Sequence, residues 1–187
     1  MILFTLYAAT AVLTLLCVYV LFKTKSLYEQ GQPLSVSVSI GWLIAGVLDT
    51  LIIALSSIYS VWRLPLNVII VRVAGIALVL LGVAIMLAGM IEFRSVRKVL
   101  GMETSGLVTT GIYRWSRNPQ FLGWYFSVVG ISLAGLSGYA LLIALIAITS
   151  GHYYIVKLEE PYLERVFGRE YLEYKRRTPR YIGLPKD

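Results

Sequence analysis

The chain has 187 residues, of which 58% are hydrophobic and 14% charged, and its mean hydropathy is +0.76. A soluble domain is about a quarter charged, so this composition excludes a soluble enzyme and leaves no room for a separate soluble domain. The net charge of +7 would suggest nucleic acid in a soluble protein, but here the basic residues gather at the ends of apolar runs, the topology signal of membrane proteins.

In chain order, the first predicted span is Ile2 to Phe22, followed by Lys23 and Lys25. It lacks the basic start and small-residue cleavage site of a signal peptide, so it reads as a retained anchor. Cys17, the one cysteine, lies within it, which excludes a disulfide framework and a thiolate metal site; with His152 the one histidine, a His-rich metal site is excluded too. Glu29-Gln-Gly-Gln-Pro33 is a turn. The second span is about Val36 to Tyr59, interrupted by Asp49. Trp62-Arg63-Leu64-Pro65 forms a short loop. The third span is Leu66 to Ile91, with Gly75, Gly82 and Gly89 at intervals of seven, a stripe that predicts close helix packing.

A basic segment with Arg94, Arg97 and Lys98 follows, then Ser105 to Trp124, rich in turn glycines, arginines and aromatics. The fourth span runs from Pro119 to about Leu136 and the fifth from about Tyr139 to Val156, joined by a tight Ser137-Gly138 turn as an antiparallel hairpin. From Glu159 to Arg177, Leu163, Val166, Phe167 and Tyr171 recur at helical spacing among charges. This predicts an amphipathic helix lying on the membrane surface, ended by the extended segment Thr178 to Pro185. The expected fold is therefore an all-α integral membrane protein with five transmembrane helices and a C-terminal interfacial helix.

Two basic residues lie in the first loop, five between Arg94 and Arg117, and eight from Lys157 to Lys186. That puts fifteen of the seventeen on one side of five spans. The expected orientation has the N-terminus outside and the C-terminus and site in the cytoplasm, in the cell membrane of a prokaryote or the endoplasmic reticulum of a eukaryote. Asp49 and Arg72, both inside spans, are expected to form an ion pair between adjacent helices.

Asn118-Pro119 is a good helix start, with Asn as N-cap and Pro at the first helical position. Helix capping does not account for the polar loop before it, nor for Glu159-Glu160 at a membrane boundary that is commonly anionic. A helix N-terminus suits a carboxylate, and a nearby glutamate suits an ammonium. A ligand bearing both groups, such as the amino-acid end of S-adenosylmethionine, satisfies the two together, and Tyr113 and Phe121 supply aromatic cover for its adenine or sulfonium.

The run Leu-Val-Thr-Thr-Gly-Ile-Tyr-Arg-Trp-Ser-Arg-Asn-Pro-Gln-Phe-Leu-Gly, then Glu-Glu-x-x-Leu, Phe-Gly-x-x-Tyr-x-x-Tyr and a proline, resembles the isoprenylcysteine carboxyl methyltransferase family. Its broader relatives include phospholipid methyltransferases. The resemblance covers roughly Ser105 to Pro185, while the first three spans match only in hydropathy. It implies one membrane-embedded domain over residues 1–187, with anchoring spans in 1–91 and a catalytic part in 92–187. It implies S-adenosylmethionine as cofactor, bound by Ser105, Gly106, Leu107, Val108, Tyr113, Asn118, Pro119, Gln120, Phe121 and Glu159. The methyl acceptor would be a lipid-bearing or small apolar molecule, with membrane lipids as surroundings. Asn118 stands where the family usually has His, and Ile155 where eukaryotic members have Arg.

Methyl transfer to a carboxylate needs no general base, because the nucleophile is ionised at neutral pH; positioning and desolvation suffice. A phospholipid amine is the alternative acceptor, and there Glu160 or His152 would take the proton. Two further alternatives are a sterol-type reductase using a nicotinamide cofactor and a non-enzymatic scaffold. Trp124 stands after Gly123, where such reductases carry an acid.

Overall fold

The computed structural model describes residues 1–185, so Lys186 of the basic tail lies outside the described residues. The elements of the described chain are all helical: α1 (Ile2–Glu29), α2 (Val36–Ile58), α3 (Val68–Phe93), α4 (Val96–Val99), α5 (Pro119–Ala134), α6 (Gly138–Tyr154), α7 (Glu160–Phe167) and α8 (Arg169–Arg177). A 3-10 turn, Gly111–Arg114, precedes α5, and a π-helical turn, Ile155–Glu159, joins α6 to α7 without a break. Side-chain oxygens of Ser35, Asn67 and Ser137 accept from the first turns of α2, α3 and α6, satisfying donors that a helix start leaves free.

Four helices are long and apolar enough to cross a membrane: α1, α2, α3 and the continuous Gly138–Phe167. This is a multi-pass membrane protein. The helix α5 has 16 residues, about 24 Å at 1.5 Å per residue, against a hydrocarbon core of about 30 Å. The helix that carries the fifth predicted span continues past Val156 through the π turn to Phe167.

The glycine stripe of α3 packs against α5. Gly75, Gly82 and Gly89 are the buried residues of α3, and they meet Gly130, Gly123 and Pro119–Gln120 in antiparallel register. A Cβ on Gly130 would stand 2.6 Å from the Gly75 carbonyl oxygen, so the two backbones touch where a side chain would hold them apart. Apart from Arg72 and Glu92, the rest of α3 is apolar and largely exposed, as befits a lipid-facing helix. The main core lies between α1, α2, α5 and α6, around Leu13, Ile52, Ile53, Val128 and Ala140.

Asp49 and Arg72 do not pair. Because α3 packs on α5 rather than on α2, Arg72 reaches the end of α5 and donates from Nε to the Ala134 carbonyl at 3.3 Å. That is a favourable place for a cation. Asp49 is buried on α2, and its Oδ2 has no hydrogen-bond partner.

The expected surface helix over Glu159 to Arg177 is two helices broken at Gly168, whose φ of +54° and ψ of −123° end α7, a conformation that glycine adopts without a Cβ clash. The apolar face of α8 is engaged by protein: Tyr171 and Tyr174 are buried in a cluster with Tyr113, with Leu107, Val108, Leu163 and Phe167 around it.

Candidate functional site

One end of the bundle gathers the loop before α5, the start of α5, the π turn and the tail. The loop carbonyls accept two hydrogen bonds from the segment that opens α2: Leu34 N–H donates to the Gly101 carbonyl at 2.9 Å, and Ser39 Oγ donates to the Leu100 carbonyl at 2.8 Å. Gly111, with φ +54°, lies against the Glu92 carboxylate, which fills the space a Cβ would need. Glu92 also accepts from Thr110 Oγ1 at 3.0 Å. This contact turns the chain into the 3-10 turn that carries Tyr113.

Tyr113 is buried, and burial pushes its phenol well above the ordinary tyrosine value. Its hydroxyl accepts from Gln120 Nε2 at 3.1 Å, and its backbone carbonyl accepts from the Tyr174 hydroxyl at 2.7 Å. The tail then runs beside residues 115–118. Arg117 N–H donates to the Pro179 carbonyl at 3.0 Å, and Gly183 N–H to the Trp115 carbonyl at 3.2 Å.

Asn118 does not cap α5. Its Nδ2 donates to the Arg180 carbonyl at 3.1 Å, and Ser116 Oγ accepts its backbone N–H at 3.1 Å. The tail claims the amide, so α5 starts with Pro119 in place and no side-chain cap. Its first-turn N–H groups and the positive end of its dipole are left for another acceptor.

The two adjacent acids have opposite fates. Glu160 is 3% exposed and sits among three cations. Arg180 donates from Nε at 2.7 Å and Nη2 at 3.0 Å, Arg117 Nη2 lies at 3.0 Å and Lys175 Nζ at 3.5 Å. The Arg180 guanidinium is in turn held charged by its hydrogen bond to Glu160, which raises its pKa. Glu160 is thus bound up as a structural hub and is not free to accept a proton. Glu159, one residue earlier on the π turn, has its Oε2 sealed from solvent with no hydrogen-bond partner. A sealed carboxylate oxygen without a partner is costly, which sets Glu159 apart from its neighbour.

Of the remaining predicted site residues, Pro119 is fully buried, and Phe121 packs in an aromatic group with Tyr125 and Tyr154 at ring-centroid distances of 6.1 and 5.7 Å. Leu107 and Val108 pack around the Tyr113 cluster. Ser105 and Gly106 lie exposed at the rim, where Ser105 bonds the Glu103 carboxylate and its carbonyl accepts from Lys98 Nζ at 3.0 Å. His152 is exposed, its Nδ1 sharing a hydrogen bond of 2.7 Å with the Tyr181 hydroxyl, outside the buried group. Among the described residues no cluster of three or more His, Cys, Asp or Glu side chains assembles.

Sequence reasoning missed Lys175 and Arg180 as partners of Glu160, and Tyr28, Trp42 and Tyr154 as an aromatic group at the start of the π turn. Nothing in the local pattern marks them, since Tyr28 and Tyr154 stand 126 residues apart.

A helical membrane bundle with a sealed acid, an uncapped helix start and an aromatic wall gathered at one end defines a polytopic membrane protein with a candidate site at that end. The family of phospholipid methyltransferases matches residues 70–170, over half the chain, and the protein belongs to that family. It is similar to the protein-S-isoprenylcysteine O-methyltransferases of Saccharomyces cerevisiae (33% identical over 118 residues) and Homo sapiens (31% over 125). It is also similar to protein-S-isoprenylcysteine O-methyltransferase B of Arabidopsis thaliana (29% over 116). These matches cover 60, 60 and 59% of this chain and 48, 40 and 57% of the relatives, so the chain spans about half of their length.

Proposed function

We propose that this protein is an S-adenosylmethionine-dependent membrane methyltransferase that esterifies a carboxylate on a lipid-bearing acceptor, as the names of its relatives describe for isoprenylcysteine. The observation that carries this reading is the free Oε2 of Glu159 at the same end of the bundle as the uncapped start of α5. The two fit the ammonium and the carboxylate of one amino-acid moiety.

When bound, S-adenosylmethionine supplies a methyl group activated by a sulfonium. Glu159 holds the ammonium, the first N–H groups of α5 at Gln120 and Phe121 hold the carboxylate, and Tyr113 and Phe121 offer ring faces to the cationic and adenine parts. Ser105 to Val108 form the rim. No side chain is needed to remove a proton from a carboxylate acceptor, and the engagement of Glu160 by three cations favours that acceptor over an amine.

The reading includes five spans, with α5 as a short fourth crossing and the basic end in the cytoplasm. Single cysteines in a Cys17→Ser background, at Ser60 and at Glu103, should label from opposite faces with a membrane-impermeant maleimide. Labelling of both from one face would refute the topology.

Calorimetry with S-adenosylhomocysteine on detergent-purified protein tests the function. Saturable binding that Glu159→Ala and Tyr113→Ala weaken is expected, followed by methyl transfer to a prenylated cysteine. A folded preparation that does not bind would sink the reading.

A further inference from the structure

Tyr154 ends α6 and leads directly into the π turn that carries Glu159. It is buried, and its hydroxyl meets that of Tyr28 at 3.0 Å. Tyr28 comes from the last turn of α1, and Trp42 from α2; both lie outside the family-matched residues 70–170. The Trp42 ring meets Tyr154 edge-on at 5.2 Å. Its Nε1 donates to Thr24 Oγ1 at 2.9 Å, which fixes the plane of the indole. On the far side of the turn, Tyr162 stacks on Tyr28 with centroids 4.1 Å apart and planes 6° from parallel. Arg165 Nη1 donates to the Tyr28 and Glu29 carbonyls at 2.7 and 2.8 Å, tying α7 to the end of α1.

The π turn is therefore gripped at both ends by the same helix, through Tyr154 before it and Tyr162 and Arg165 after it. Between the two grips stands the sealed Oε2 of Glu159. A π turn is rare and is found mostly at functional sites, and a carboxylate without protein partners takes its direction from the backbone that bears it. The residues that hold this backbone come from the spans that hydropathy alone marks as anchors.

We propose that Tyr28 and Trp42 are positioning residues of the candidate site. Acting through Tyr154, they hold the π turn so that the free oxygen of Glu159 faces the cationic end of the methyl donor, and the first two spans complete the site. This rests on the methyl-donor reading above.

The test is a pair of mutant cycles read by S-adenosylhomocysteine calorimetry on the full chain, well below its unfolding temperature. Tyr28→Phe keeps the ring stack and removes one hydrogen bond, so binding should weaken about fivefold. In a Glu159→Gln background the same change should have no further effect, because its action is routed through that carboxylate. Equal losses in both backgrounds, or none in either, would overturn the proposal. Trp42→Phe, which keeps a ring against Tyr154, should bind within about twofold of wild type, while Trp42→Ala should weaken binding about fivefold; equal affinities for these two would also overturn it. Wild-type protein that fails to bind refutes the methyl-donor reading, whereas binding that ignores Tyr28 and Trp42 refutes only the positioning role.

Discussion

Glu160 and Arg180 form a two-point ion pair, Nε to Oε1 at 2.7 Å and Nη2 to Oε2 at 3.0 Å, across a separation of 20 residues. This pair folds the tail back over the loop, because Arg117 from the loop shares the same carboxylate at 3.0 Å. Replacing Glu160 by Gln leaves the Arg117 guanidinium buried without its counter-charge, and is expected to cost about 3 kcal/mol. Arg180→Ala removes a partner whose side chain is 31% exposed and should cost about 1 kcal/mol at most. Thermal unfolding in detergent checks the order; an equal effect of the two would refute the hub.

Glu159 should behave in the opposite way. Its free oxygen stabilises nothing in the protein, so Glu159→Gln is expected to leave the unfolding temperature unchanged or to raise it. S-adenosylhomocysteine affinity should fall about tenfold or more, the loss of a charged hydrogen bond. Parallel calorimetry and thermal scans separate the two quantities; a joint fall would mark Glu159 as structural.

The seam between α3 and α5 is sensitive to single carbons. A Cβ on Gly82 would collide with the Gly123 carbonyl and Ser127, whereas one on Gly46 meets nothing within 4 Å. Gly82→Ala should therefore destabilise by about 1–3 kcal/mol, and Gly46→Ala should be neutral or slightly stabilising. Unfolding midpoints of the two variants give the comparison.

Asp49 and Arg72 should act independently. Asp49→Asn removes a buried carboxylate whose Oδ2 is unpartnered and is expected to be tolerated. Arg72→Ala loses one bond to the end of α5. Their double mutant should be additive within about 0.5 kcal/mol; a larger coupling would restore the ion pair that hydropathy suggested.

Tyr174→Phe removes the 2.7 Å bond to the Tyr113 carbonyl and keeps the packing. It should cost about 1 kcal/mol and speed amide exchange in the tail from Thr178 onward, measured by hydrogen–deuterium exchange. Unchanged exchange would show that packing alone holds the tail.

The helical membrane architecture was legible because a bilayer demands long apolar runs and internal hydrogen bonding. Boundaries of α2 and α3 fell within two residues of expectation, with Ser35 and Asn67 as their caps. The glycine spacing announced a packed stripe, since a repeat of seven returns to one helix face. The partner of that stripe was not legible: Gly123 and Gly130 carry the matching interval, but only the bundle decides that α5 rather than α2 lies against α3. That choice separated Asp49 from Arg72.

At the site, the Arg-Asn-Pro step and the Glu-Glu pair stood out as polar residues where a membrane boundary gives them no reason to be, and the structure brings their two segments together. Which acid is satisfied and which is left free could not be read from two adjacent identical letters. The composition and spacing of this chain determine a multi-pass helical protein with a polar end, because burial in lipid is a local requirement on every residue. The division of labour between Glu159 and Glu160, the loss of Asn118 as a cap and the enlistment of Tyr28 and Trp42 are decided by contacts across the whole chain, and those exist only once the helices have packed.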